Sequence, residues 1–377
     1  MKILSSKFIN FRNYASLELG TDHMVNVFYG DNAQGKTNFL EGLYYAAFGF
    51  PSRTKNEEEL ITFGQDFLVT EVAFNNRFGA NRINIKKYPE KGRSKKLITY
   101  NDNSLTAKEH YGLLNMVLFA PDDLQMVKGE PGLRRKFLDM EIAQVNRYYY
   151  QLLVKYNKLL AQRNKFLKLH KEEGILPEAE IQSWDEEVAK VAGAIYDLRR
   201  ENLKHINSIA GEIYGKLTGQ KEEFLLSYVT KTADELNSEQ VNLISEDSSD
   251  FYLRELKKRR GLDLVRGYTS VGPHRDDLLL QVNKKNLRSF GSQGQQRSAA
   301  LVLKLAEIEI IYKNKEEYPI LLLDDVMSEL DEKRRKQLLG FIDGRVQTFI
   351  TLNDKSLVEN LGDCHYYQVE NGRIRED

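Results

Sequence analysis

One eight-residue run, Gly30-Asp31-Asn32-Ala33-Gln34-Gly35-Lys36-Thr37, has the spacing G-x-x-x-x-G-K-[ST] and constrains the fold more than any other segment. Such a loop works only between a strand and a helix. Met24 to Tyr29 reads as a short strand and Asn38 to Phe48 as the helix that follows. Glycines at 30 and 35 let the backbone curl around a triphosphate, so that successive N–H groups and the positive helix N-terminus face its oxygens. Lys36 is then placed to bridge the β- and γ-phosphates, and Thr37 offers a hydroxyl to Mg²⁺. Far downstream, Ile320-Leu321-Leu322-Leu323-Asp324-Asp325 supplies the apolar strand and acidic pair that such loops require. Asp324 is positioned to hold the metal from the other side, and Asp325 to orient or deprotonate the attacking water. Together the two segments predict a site that uses ATP and Mg²⁺. The competing reading of the loop, a surface turn before a helix, explains neither the preceding strand nor the acidic pair.

At 377 residues the chain is long enough for a full core, and the length prior favours two domains. Lys plus Arg balance Asp plus Glu at 55 each, so nucleic-acid binding would rest on a local patch and not on total charge. The single cysteine, Cys364, excludes an internal disulfide and a cysteine-cluster metal site. That usage, with no signal peptide in view, points to a reducing cytoplasm. No run approaches the roughly 20 apolar residues of a membrane span, so the expectation is a soluble protein with no membrane partner.

Residues 2 to 30 alternate as β-strands, around Asn10-Phe11-Arg12-Asn13-Tyr14. Phe67 to Phe74, Arg82 to Lys87 and Lys96 to Tyr100 continue with period two. From about Arg134 the period becomes helical. Ile142, Val145, Tyr149, Leu152, Tyr156, Leu159, Arg163 and Phe166 lie three or four apart, and Ile181, Trp184, Val188, Val191, Ile195 and Leu198 repeat the pattern after a Gly174 to Pro177 break. This predicts two antiparallel helices of roughly 45 Å each, too short for a long coiled-coil arm. Thr230 to Phe251 reads as a polar connection with one short helix. Strands resume at Ser270 and at Leu278 to Asn283, a helix spans Gln293 to Lys313, and Val346 to Leu352 is a further strand. The order predicts an α/β fold, an ABC-type P-loop ATPase head with an inserted α-helical domain. Residues 1–120 and 265–377 would form the core, and 121–264 the insertion.

A third motif sharpens the class. Ser292-Gln293-Gly294-Gln295 carries the S-x-G-Q heart of an ABC signature at a helix start, about thirty residues before the acidic strand. Ser328-Glu329-Leu330-Asp331 stands in the place of a D-loop, with Ser328 and Asp331 as its polar residues. A serine hydroxyl and a glycine N–H at a helix N-terminus make a second anion site. Since each chain wraps its phosphates with its own loop, Ser292, Gly294 and Gln295 are expected to meet ATP held by a second copy, giving an ATP-dependent homodimer. The plainer alternative is that Ser292 merely caps its helix.

These motifs, with Asn10 to Tyr14, Phe119-Ala120-Pro121-Asp122-Asp123-Leu124, Gly129-Glu130-Pro131, Arg134 to Asp139 and Gly272-Pro273-His274-Arg275-Asp276-Asp277, make the chain resemble the RecF family from end to end. RecF proteins are bacterial DNA-repair ATPases related to SMC heads. The resemblance implies ATP-dependent dimerisation, binding to double-stranded, gapped or single/double-strand junction DNA, and partnership with a RecR-type mediator where RecA is loaded. SMC proteins proper have far longer arms, and zinc-hook relatives need a Cys-x-x-Cys pair. An ABC-transporter ATPase subunit is the main alternative, opposed by the inserted helices; a small-molecule P-loop kinase has no use for a signature helix acting in trans.

Two departures from the ordinary ABC pattern predict slow hydrolysis. Asp325 is one methylene shorter than the usual Glu, and Thr348 to Asp354 contains no switch histidine. Asp122, Asp123 and Gln125 are the Q-loop candidates. For DNA, one basic stretch holds Lys86, Lys87, Arg93, Lys95 and Lys96 with Glu90 as its single acidic residue, and Lys257-Lys258-Arg259-Arg260 forms a second cluster. A solvated hairpin tip and a charged helix end are the competing readings. Arg12 and Arg53 are candidates for nucleotide contact or for ordinary ion pairs. His274-Arg275-Asp276 resembles a kinase catalytic loop but lacks that loop's Asn; it is expected to brace the ATPase core as a turn into a strand, with direct nucleotide contact as the alternative.

Overall fold

A computed structural model describes residues 1–172, 174–231, 244, 246–358 and 364–377. They form two compact units, Met1–Leu124 together with Ala300–Asp377, and Gln125–Ala299.

In the first unit, β1 (Lys2–Phe11) turns through Arg12, whose φ is 53°, into β2 (Tyr14–Gly20). β3 (Val25–Tyr29) feeds the glycine-rich loop, and α1 (Lys36–Phe48) follows it. β4 (Leu68–Asn76), β5 (Gly79–Glu90), β6 (Arg93–Tyr100) and β7 (Asn103–Leu105) complete an antiparallel sheet in the order β2-β1-β4-β5-β6-β7. Its period-two pattern buries Phe8, Leu68, Val72, Phe74, Ile83 and Ile85 on one face. α1 lies against that sheet and is buried almost all round, which is why its sequence is apolar without a clear polar stripe. A Cβ on Gly42 would come within 2.5 Å of the Phe8 ring, so only glycine allows this approach. α2 (Ala107–His110), β8 (Met116–Phe119) and α3 (Pro121–Leu124) end this part of the chain.

The second unit begins with α4 (Pro131–Val145), α5 (Arg147–Leu169) and α6 (Glu178–Thr218). The two predicted antiparallel helices are present but unequal. α5 has 23 residues because Asn146 caps it separately from α4, whereas α6 has 41, about 62 Å at 1.5 Å per residue. β9 (Phe224–Val229) follows; of the connection expected between Thr230 and Phe251, 232–243 and 245 lie outside the described residues. α7 (Ser248–Arg266) starts at an Asp247 cap, and β10 (Asp277–Val282), β11 (Lys285–Asn286) and α8 (Leu287–Phe290) succeed it. The strand expected at Ser270 is absent, since Ser270 N and Oγ both bond Asp263 Oδ1, at 3.0 and 2.6 Å, in a loop. The unit is not purely helical. Antiparallel pairing of β10 with β9 draws residues beyond 265 into it, and the division falls at Ala299/Ala300 within α9 (Gln293–Lys315).

The chain then adds β12 (Ile320–Asp324), α10 (Val326–Glu329), α11 (Glu332–Ile342), β13 (Thr348–Leu352), β14 (Cys364–Glu370) and β15 (Arg373–Glu376) to the first unit. With β3 and β8 these strands make a sheet in the order β15-β14-β3-β13-β12-β8, parallel except for β15. β12 and β13 are buried on both faces, hence their continuous apolar runs. β13 lies between β3 and β12, so the ends of those two strands flank a single strand. In open parallel sheets, ligand sites form at such carboxyl ends.

Candidate functional site

The loop after β3 is held by backbone geometry that demands glycine. Gly30 has φ 144° and a Cβ there would meet Val369 O at 2.4 Å; Gly35 has φ 122° and its Cβ would meet Asn13 Nδ2 at 2.6 Å. Four hydrogen bonds prop the loop from outside. Asn13 Nδ2 donates to Gln34 O at 2.9 Å, Tyr14 Oη to Gly35 O at 3.0 Å, Gly372 N to Gln34 O at 3.0 Å, and Asn371 N to Gln34 Oε1 at 2.7 Å. Lys36 Nζ donates to Gly30 O, to Asp31 O at 2.8 Å and to Asn353 Oδ1 at 2.6 Å.

Across the sheet, Thr37 Oγ1 donates to Asp324 Oδ1 at 2.8 Å. The same carboxylate oxygen accepts the Thr351 hydroxyl at 2.9 Å, and Thr351 Oγ1 accepts the Asp325 amide at 2.9 Å. The fold thus places Lys36, Thr37, Asp324 and Asp325 side by side. Burial lowers the proton affinity of the Lys36 ammonium, against the pull of Asp325, Asp31 and Asp324. Burial also lifts the Asp325 carboxyl above its ordinary range, opposed by Lys36 and reinforced by Asp324. Asp325 sits in the left-handed region at φ 53°, and its carbonyl accepts the Ser328 hydroxyl at 2.8 Å. Asp331 caps α11 through the Arg334 amide at 2.9 Å.

Asn353, Thr351, Asn13 and the Asn371-Gly372 turn belong to this constellation and were not singled out as site residues. Asn353 stands just beyond β13, at the place of an ABC switch histidine, and that position is its sequence signal. Arg12 and Arg53 are held in ion pairs. Both bond the Glu41 carboxylate on α1, each at 2.9 Å. Burial raises the Glu41 carboxyl, but the two guanidiniums outweigh that and hold it below its ordinary range. Asp123, a Q-loop candidate, caps Ala120 N at 2.8 Å and pairs with Lys304 at 3.3 Å. Asp122 is exposed.

In the second unit Ser292 is exposed and caps α9 reciprocally. Its Oγ accepts the Gln295 amide at 3.2 Å, and its amide donates to Gln295 Oε1 at 2.9 Å. Gln295 Nε2 also donates to Glu222 Oε1 at 2.8 Å. The Gly272 to Asp277 run is a buried brace of this second unit, not of the ATPase core as expected. Asp276 accepts the Tyr252 and Tyr228 hydroxyls at 2.7 and 2.9 Å, and Arg199 Nη1 donates to Pro273 O at 2.8 Å. Burial raises the Asp276 carboxyl to about 6 and lowers the His274 imidazole to about 3.

The predicted basic patches are less cationic than the sequence implied. Lys87 and Lys96 are paired directly across β5 and β6 and face inward, where Glu58 meets Lys87 at 2.9 Å and Glu57 meets Lys96 at 2.6 Å. Lys86 and Lys95 are exposed; Lys95 pairs with Glu90 at 3.0 Å, and the side chain of Arg93 lies outside the described residues. The second cluster falls mid-helix in α7, not at a helix end. Arg260 is committed to the buried Asp185 at 2.6 Å, and Lys258 to Glu255 at 3.2 Å; Lys257 is exposed and Arg259 half-buried. Alternation on a strand and periodicity on a helix split each run of like charges between two environments.

A glycine-rich loop on one parallel strand, an acidic pair on another and an S-x-G-Q helix define a P-loop ATPase head of the ABC and SMC type. Residues 3–374 match the model of the RecF/RecN/SMC N terminal domain family. The chain is 40% identical over 375 residues to the DNA replication and repair protein RecF of Clostridium tetani, covering 98% of each chain. Against the protein of that name from Clostridium acetobutylicum it is 39% identical, with 97% of each covered. Among solved structures it is similar to the recombination mediator protein RecF-ATPrS in the RecFOR pathway, with TM-score 0.87, 32% identity and coverage of 99% of this chain and 97% of that one. An SmcHead bound to the C-winged helix domain of ScpA shares the fold, with TM-score 0.57 at 15% identity. The chain belongs to the RecF family.

Proposed function

We propose that this chain is an ATP-controlled DNA-binding protein of recombinational repair, acting in the cytoplasm. The observation that carries the ATP site is the hydrogen-bonded chain Thr37–Asp324–Thr351 beside the Lys36 loop. Gly30 to Gly35 supply backbone amides to phosphate, and Lys36 exchanges its carbonyl and Asn353 partners for phosphate oxygens. Thr37 and Asp324 fit Mg²⁺, being a hydroxyl and a carboxylate already 2.8 Å apart; the ion would neutralise phosphate charge there. Asp325 accepts a proton from water, helped by its raised carboxyl, yet its short side chain and the lack of a switch histidine favour slow turnover.

The exposed Ser292, with Gly294 and Gln295, supports closure on ATP held by a second copy, with Ser328 and Asp331 of the D-loop at the same junction. The relatives, including one named for the RecFOR pathway, support DNA at gaps or junctions and a RecR-type mediator of RecA loading as partners. Among the described residues no helix is long and apolar enough to cross a membrane, and nothing favours the transporter reading. Within the two predicted clusters, Lys86 and Lys257 are exposed, and Lys95 and Lys258 are exposed with a carboxylate partner that phosphate could replace.

Sizing the protein with ADP or ATP, with and without duplex DNA, tests the central claim. A dimer is expected with ATP only, lost in Lys36→Met and in Ser292→Arg; equal dimer in every sample would refute nucleotide control. Reversing charge at Lys86 and Lys95 together is expected to weaken DNA binding and to flatten the slope of log affinity against log salt by about one to two. Unchanged affinity would remove that face from the DNA interface.

A further inference from the structure

Among the described residues, a second cluster of metal-ligand groups lies at the edge of the parallel sheet, apart from the loop and acidic pair. One ligand atom from each of His23, His365 and Glu376 can be chosen so that all lie within 4.8 Å of one another. The two imidazoles are stacked, with centroids 3.8 Å apart and planes 3° from parallel. His365 Nε2 is shielded from solvent and meets Glu376 Oε1 in a close ion-pair contact, while Asp22 Oδ1 stands 3.9 Å from His23 Nε2.

The backbone beneath these groups is fixed. His365 is paired with Asn26 in the β14–β3 ladder. The His23 carbonyl accepts both Asn26 Nδ2 at 2.8 Å and Gln347 Nε2 at 3.0 Å. Tyr367 sets its ring edge-on to His365 at 4.9 Å and anchors its hydroxyl on Gly20 O at 2.9 Å. One carboxylate and two imidazoles thus lie together, His365 and Glu376 on β14 and β15 and His23 in the loop that enters β3, with side-chain rotation left to turn their donor atoms toward one ion.

We infer that His23, His365 and Glu376 form a site for one divalent transition-metal ion of the Zn²⁺ type. Mixed imidazole and carboxylate donors suit Zn²⁺, Ni²⁺ or Cu²⁺, whereas Mg²⁺ and Ca²⁺ favour oxygen alone. The site closes the open end of the β14–β15 hairpin, whose turn at Asn371 and Gly372 bonds Gln34 of the glycine-rich loop. A bound ion therefore ties the last strand of the chain to the segment that enters β3.

The test is equilibrium Zn²⁺ binding to the full chain without nucleotide, in excess Mg²⁺ to occupy oxygen-only sites, read by competition with a chromogenic chelator. One Zn²⁺ per chain is expected, with affinity at least tenfold weaker in His23→Gln, His365→Gln and Glu376→Gln and unchanged in the exposed control His205→Gln. Since a ligand of the folded state stabilises it by mass action, Zn²⁺ is expected to raise the melting temperature of the wild type and not of His23→Gln. His23→Gln lies in a half-exposed loop and is expected to keep the metal-free melting temperature, so it decides the matter even if His365→Gln fails to fold. Less than one equivalent bound, or equal binding by wild type and His23→Gln, would overturn the assignment.

Discussion

At the scale of single residues, the glycine-rich loop shows how far residue type alone can carry an inference. Gly30 and Gly35 were legible because their spacing encodes a chemistry. The atoms that make them obligatory, Val369 O and Asn13 Nδ2, lie hundreds and tens of residues away and leave no mark in the local sequence. Side chains that merely prop a site, such as Thr351 and Asn353, escape notice for the same reason: a hydroxyl or an amide at a strand end is common, and only its partner makes it functional. Two Gly→Ala substitutions are expected to act with opposite signs. Gly35→Ala puts an L side chain at φ 122° and against Asn13, and is expected to destabilise by about 1–3 kcal/mol. Gly340→Ala, exposed inside α11 with nothing within 4 Å of the new Cβ, is expected to stabilise by about 0.5–1 kcal/mol. Denaturant titration of the two variants checks both, and equal effects would contradict the reading of Gly35.

At the scale of elements, periodicity found α5, α6 and most strands of the first half, but it misjudged where the helices end, placed a strand at Ser270 that is a loop, and missed β9, β14 and β15. α6 continues past Leu198 because Leu203, Ile206, Ile209, Ala210 and Tyr214 keep the helical phase beyond the polar run Arg199 to Asn202. A charged residue in the apolar phase was the overlooked signal: Arg163 sits among the buried positions of α5 with no exposure at all. It bonds Asp185 of α6 at 2.8 Å and Asp263 of α7 at 2.9 Å, and Thr269 at 2.7 Å. These partners are 22, 100 and 106 positions away, which local pattern cannot reveal. The cluster clasps three helices through one guanidinium. Arg163→Leu strips two buried carboxylates of that partner and leaves Arg260 to hold Asp185 alone, so a loss of about 3–5 kcal/mol is expected by chemical denaturation. Replacing Asp185 as well, by Asn, is expected to recover part of that loss; a single variant as stable as wild type would show that the cluster contributes nothing net.

For the whole molecule, two buried histidines, one in each unit, set how stability responds to acid. His110 of the first unit faces Ala46 O through Nε2 at 2.8 Å, and burial lowers its imidazole to about 4. His274 of the second unit faces Thr269 O through Nε2 at 3.1 Å and Tyr156 Oη through Nδ1 at 2.7 Å, and is lowered to about 3. Each is neutral when folded but gains a proton on unfolding below pH ~6.5, so the unfolded chain binds more protons and stability falls with pH. The slope is about 1.4 kcal/mol per pH unit for each histidine between roughly pH 6.5 and its folded value. Asp276 works in the opposite sense. Its carboxyl, raised to about 6, takes up a proton in the folded state first, so between about pH 6 and 4 it offsets the loss from His274 within the same unit. In the first unit the raised carboxyls of Asp325 and Glu307 oppose the loss from His110 and the lowered carboxyl of Glu41 adds to it, so that unit is expected to lose stability over that range, while the second unit changes little between about pH 6 and 4. Unfolding followed at pH 7.5, 6 and 5 by hydrogen exchange, which reads each unit separately, is expected to show the first unit weakening most. His110→Gln is expected to flatten that dependence, and a second unit that weakened as steeply as the first between pH 6 and 5 would contradict the buried carboxyl's role.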